Sequence, residues 1–257
     1  MDFGYTLAGF VVGTIVGLTG VGGGSLMTPL LVLAFGIHPA TAVGTDLLYA
    51  AITKAGGTVT HSLKGTVDWK ITRRLAAGSI PAAGLTLFAI SQWAPGGIGG
   101  ASNAISFALG FALLLTAMAL IFRRRLQEFA HHHATLSGRQ TAVLTVVTGA
   151  VLGVLVSISS VGAGALGVTA LILLYRKLST VRIVGSDVAH AVPLTAVAGI
   201  GHWMLGSVDW SLLAALLLGS LPGITLGSHL SVKVPDRVLR PILATLLVVI
   251  GGKLIAH

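Results

Sequence analysis

The chain contains no cysteine, so neither a disulfide framework nor a cysteine metal site is available to it. Charge is almost as scarce. Asp, Glu, Lys and Arg make up 9% of the 257 residues, against about 25% in a soluble domain, and acids number only 7. Catalytic signatures are missing as well: there is no H-E-x-x-H, no Gly-x-Ser-x-Gly elbow and no P-loop. The N-terminus has Asp2 in place of a basic region and no small-residue cleavage site, so Tyr5–Leu18 is expected to stay in the mature protein. What remains is apolar. Hydrophobic residues reach 54% and mean hydropathy is +0.94. Runs near 20 residues match the roughly 30 Å of bilayer hydrocarbon, which makes this an integral membrane protein with the lipid bilayer as its solvent.

The apolar segments run Tyr5–Leu18, Leu26–Phe35, Thr41–Thr60, Ile71–Ile90, Ala101–Phe122, Thr141–Val156, Ala163–Tyr175, Ile183–Trp203, Ser211–Leu230 and Pro241–Gly252. A net charge of +9 suggests nucleic acid until its distribution is read. Fourteen of the sixteen Lys and Arg residues fall in four alternate connections, around Lys64–Arg74, Arg123–Arg139, Arg176–Arg182 and Lys233–Arg240. The connections between them, Gly36–Ala40, Gln92–Gly100 and Leu205–Trp210, carry none. By the positive-inside rule the basic connections are cytoplasmic and both termini face out of the cell (inner) membrane. No nucleic-acid partner is expected.

Two breaks organise the rest. Gly20-Val-Gly-Gly-Gly-Ser25 interrupts the first apolar run, and Pro29 then suits the first turn of a new helix. Ser159-Ser-Val-Gly-Ala-Gly-Ala165 splits a later one. A shift of 141 positions aligns the halves, matching Gly44/Gly185, Asp46/Asp187, His61/His202, Gly65/Gly206, Asp68/Asp209 and Trp69/Trp210. Charge-based topology puts one copy inside and the other outside. The expected fold is an all-α polytopic membrane protein of 8–10 segments, built as two inverted-topology repeats, each with a Gly-rich broken or re-entrant helix. Residues 1–122 form the first repeat, 123–140 a cytoplasmic basic linker and 141–257 the second.

A helix starting at Ser25 or Ala165 presents unsatisfied N–H groups and the positive end of its dipole to the interior. That is an anion site without a charged side chain. Gly22, Gly23, Gly24, Gly162 and Gly164 let a substrate approach the backbone, while Ser25, Ser159 and Ser160 offer hydroxyl donors; the competing reading is close helix packing. Gly13, Gly17, Gly153 and Gly167 read as packing glycines. Lys54, alone in mid-membrane, can neutralise a substrate, pair with Asp46 or snorkel.

Asp46 and Asp187, after Thr45 and Ser186, are intramembrane carboxylates. They either carry a coupling proton or cation, or cap the neighbouring broken helix, and both readings stay open. His190 is a proton carrier or a hydrogen-bonded structural histidine. Asp68, Asp209, Trp69 and Trp210 read as helix caps and an interfacial belt. His131–His133 reads as solvated loop, with no metal or cofactor expected.

Gly20–Ser25 with Pro29, Ala42-Val-Gly-Thr-Asp46, Gly65-Thr-Val-Asp-Trp69 and Val184-Gly-Ser-Asp187 together resemble the TauE/SafE family over nearly the whole chain. That resemblance implies a permease of sulfite or organosulfonates, a small anionic substrate moved by secondary transport across the cytoplasmic membrane. One departure is that Gly162-Ala-Gly164 has no following proline, so the two gates are expected to be unequal. A cation transporter using the two Asp residues is the nearer rival, a membrane-embedded enzyme the more distant one. A homo-oligomer stays open.

Overall fold

A computed structural model describes residues 3–19, 24–93, 102–132, 137–230 and 236–256. Ten helices account for them: α1 (Phe3–Thr19), α2 (Gly24–Phe35), α3 (Pro39–Leu63), α4 (Trp69–Trp93), α5 (Ser102–His132), α6 (Gly138–Ser159), α7 (Ala165–Leu174), α8 (Thr180–Met204), α9 (Trp210–Leu230) and α10 (Asp236–Ala256). Among the described residues there is no strand. Each expected apolar segment falls on one helix. The molecule is all-helical because at membrane depth a backbone must satisfy its own hydrogen bonds. Five helices are long and apolar enough to cross a bilayer: α4, α5, α6, α8 and α9. At 1.5 Å per residue, α2 and α7 reach only about 18 and 15 Å, roughly half of the hydrocarbon.

Two boundaries differ from expectation. Pro29 lies in the second turn of α2, not the first, because the helix already begins at Gly24. Helix α5 continues to His132, ten residues past the end of its apolar run, so His131 and His132 are helical and not loop. His133 lies outside the described residues. Where the sequence marks turns, the structure repeats itself. Gly65 and Gly206 both take positive φ (64° and 75°) at the ends of α3 and α8. Asp68 then accepts from the N–H of Lys70 and Ile71 at the start of α4, and Asp209 from that of Leu212 in α9, the capping expected of both.

Helix packing is reciprocal under the 141-residue shift. α1 packs on α9 as α6 packs on α4; α3 crosses α8, and α5 lies along α10. The close approaches explain several glycines. A Cβ on Gly13 would collide with the Ser220 backbone of α9, and one on Gly153 with that of Ser79 in α4. Gly78 and Gly219 meet the carbonyls of Val146 and Thr6 in the same way. In lipid, where apolar surface alone gives no preference for a protein neighbour, such small-residue seams let backbones pack closely. Large apolar side chains turn outward along α6, with Val143, Val147 and Val151 all more than half exposed. Trp69, Trp203 and Trp210 are exposed at helix ends.

Candidate functional site

The second break shows how a helix terminus is built at depth. Helix α6 ends at Ser159, and Ser160 takes a left-handed conformation (φ 58°) as its cap. Gly162 and Gly164 follow at φ 127° and 133°, a region that side-chain-bearing residues avoid. The chain is thereby turned so that α7 restarts at Ala165. Its N-cap, Gly164, has no side chain to satisfy the first-turn N–H groups. Asp187 of α8 fills that role: it accepts from the Gly164 N–H, and its Oδ1 rests against Gly167, where a Cβ would collide with it. Gly167 thus makes room for a carboxylate instead of serving as the packing glycine expected of it. A negative group at a helix N-terminus is favourable.

The matching carboxylate of the first half, Asp46, is fully buried in α3 and meets α2 beyond its first turn. Its Oδ2 accepts from the Thr28 hydroxyl in the second turn of α2 and from the Ser160 hydroxyl, 2.9 Å away in the other half. Neither its Oδ1 nor Asp187 Oδ1 has a hydrogen-bond partner among the described residues. Lys54, about two turns along α3 from Asp46, is partly buried and does not pair with it. Its Nζ donates to the carbonyl of Ala163 at 3.0 Å, inside the second break, within electrostatic reach of Asp46, Asp187 and His190. One cation therefore stands near two buried carboxylates, at the break from which α7 restarts.

Other expected residues take supporting places. Thr45 and Ser186 do not reach the broken helices. They accept from the backbone N–H of Asp209 (3.1 Å) and Asp68 (2.8 Å), tying α3 and α8 to the helix start in the opposite half. Ser159 donates to Leu155 O and accepts from the Val161 N–H, and Ser160 is engaged by Asp46, so both hydroxyls serve the chain itself. Ser25 is buried in the first turn of α2, beside Gly24 at its start. Gly22 and Gly23 lie outside the described residues. His190, fully buried, bonds through Nε2 to Ser79 Oγ at 2.8 Å, and its Nδ1 is unpartnered. His202 Nε2 donates to Ser157 O at 2.8 Å. No group of three metal-ligating side chains occurs among the described residues.

Thr28 and Ser79 are partners that sequence reasoning missed. A signal existed for the first: Thr28 and Thr169 match under the 141-residue shift. The match is in identity only, since Thr169 donates to Ala165 O of its own helix. The two short helices thus differ in what these matched threonines bond.

Among the described residues five helices are long and apolar enough to cross a bilayer, and two half-length helices lie beside buried carboxylates, the make-up of a polytopic membrane protein. The chain belongs to the sulfite exporter TauE/SafE family, whose family model matches residues 5–254. It is 42% identical to the probable membrane transporter protein YjnA of Bacillus subtilis (strain 168), over 99% of this chain and 100% of that protein. The probable membrane transporter protein YdhB of the same strain is 29% identical over 90% of the chain and 91% of its own length. The archaeal counterpart MJ0441 of Methanocaldococcus jannaschii, also named a probable membrane transporter protein, is 24% identical over 95% and 92%. No solved structure matches the chain. The protein is a multi-pass membrane transporter, and the family and its relatives are transporters, not enzymes.

Proposed function

We propose that the chain moves a small sulfur oxyanion, sulfite or an organosulfonate, by alternating access between two inverted halves. The observation that carries this reading is the restart of the short helix α7 against Asp187, with Lys54 on the Ala163 carbonyl of the same break and Asp46 bonded to Thr28 of α2. Helix N-termini attract anions, and in transporters half-helix N-termini point at anionic substrate groups. Here a carboxylate already occupies that place at α7. An incoming oxyanion competes with it, because two bare anions a few ångströms apart repel. A proton on Asp187 weakens its hold on the Gly164 N–H and leaves that donor to the substrate, while the same proton neutralises the repulsion. Transport coupled to a proton follows. Lys54 supplies a cation, released from Ala163 O to the substrate. The Asp46–Ser160 bond joins α3 of one half to the break of the other and must rearrange when the halves rock.

The test uses two variants in reconstituted liposomes. Asp187→Asn retains the amide's acceptor oxygen but cannot be ionised, so sulfite exchange persists while stimulation by a pH gradient disappears. Lys54→Met loses sulfite flux by an order of magnitude or more. Undiminished flux in Lys54→Met, with the protein inserted and folded, contradicts the proposed substrate site. The unpartnered oxygens of Asp46 and Asp187 favour one rival, a cation carried between the two carboxylates. Sodium flux that survives Lys54→Met and vanishes in Asp187→Asn would support it.

A further inference from the structure

The basic end of the molecule holds a cavity of about 490 Å³ that the transport site does not use. It opens between the start of α4, the start of α6 and the connection from α7 to α8. Four cations line it: Lys70, Arg74, Arg176 and Lys177. The acid among them, Asp68, is committed elsewhere. Its Oδ2 pairs with Arg182 at 3.4 Å, and its Oδ1 accepts from the N–H groups that open α4. Arg74 is held in place, because its Nη1 donates to the Tyr175 hydroxyl at 3.2 Å and that hydroxyl bonds Thr145 Oγ1 at 2.8 Å. The cavity is therefore strongly positive and partly preorganised.

Its depth identifies the ligand. Trp69, half exposed, precedes Lys70 and marks headgroup level. A strongly positive recess at that level fits an ionised phosphate that the bilayer itself holds there. We propose that this cavity binds the headgroup phosphate of an anionic phospholipid. Basic pockets between transmembrane helices take such headgroups generally.

The experiment measures thermal unfolding of the full-length protein in detergent as phosphatidylglycerol, phosphatidylcholine or inorganic phosphate is added. Phosphatidylglycerol is expected to raise the midpoint saturably and phosphatidylcholine not to. Lys70→Gln and Lys177→Gln, both at exposed side chains, should each weaken the apparent affinity about fivefold, as one surface cation does. Lys64→Gln, at the same end but outside the cavity, should leave it unchanged. Equal stabilisation by phosphatidylcholine overturns the proposal, and so does an equal loss in Lys64→Gln, which would mean a diffuse surface field. Inorganic phosphate that reproduces the shift and displaces the lipid overturns it in favour of a free-anion site. None of these outcomes bears on sulfite flux, so the result is independent of the transport reading.

Discussion

Replacing Thr28 by Val removes one hydroxyl and leaves the shape, which isolates its bond to Asp46. Both residues are fully buried, and the acceptor is a carboxylate. A hydrogen bond to a charged group contributes about 1.5–3 kcal/mol, whereas side-chain bonds inside membrane proteins average about 0.6 and reach about 1.7. Asp46 Oδ2 keeps Ser160 as a second donor, which moderates the loss. The expected cost is therefore about 1–2 kcal/mol. With about 2–4 °C per kcal/mol for a chain of this size, the unfolding midpoint falls by roughly 2–8 °C. Thr169→Val is the internal control: that hydroxyl bonds only a carbonyl of its own helix, and its loss should cost a few tenths of a kcal/mol. The assay is thermal unfolding in detergent, repeated in an Asp46→Ala background, which has no acceptor for the hydroxyl and where the Thr28→Val effect should shrink to a fraction. Equal shifts at the two threonines, or a Thr28→Val effect undiminished beside Asp46→Ala, would refute the unequal roles assigned to the two threonines.

Gly78→Ala drives a methyl into the Val146 carbonyl and is expected to lose about 1–3 kcal/mol, seen as reduced yield and a lower midpoint. Gly84→Ala, on the same helix with nothing within 4 Å, should leave the midpoint unchanged or slightly raised. Ser79→Ala strands the buried His190 Nε2 and should cost about 1–3 kcal/mol in the same assay. Arg182→Gln breaks a pair whose members remain solvent-accessible, and a double-mutant cycle with Asp68 should return less than about 1 kcal/mol.

The helices were legible because each depends on local properties: long apolar runs, glycine clusters that end them, and Asp at the starts of α4 and α9. The repeat pointed to Asp46 and Asp187, and being charged in an apolar segment was enough to mark Lys54. What these groups touch was not legible. Asp46 meets Ser160, Lys54 meets Ala163 and His190 meets Ser79, each more than 100 residues away in sequence. No periodicity encodes such a meeting, since it follows from how α3, α8 and the break cross. The same gap explains Ser159 and Ser160, whose hydroxyls suit a substrate by type but are engaged by the chain's own acceptors. Thr45 and Ser186 likewise hold the entry to α9 and α4, a contact between halves that neither half reveals alone.

The most direct measurement is uptake of labelled sulfite into liposomes holding the purified protein, with chloride, acetate and sodium run in parallel, with and without a pH gradient. The account predicts sulfite flux that saturates, exceeds chloride and acetate flux, and is stimulated when the proton gradient runs with the substrate. Sodium flux without sulfite flux would contradict it and make the two carboxylates the substrate site.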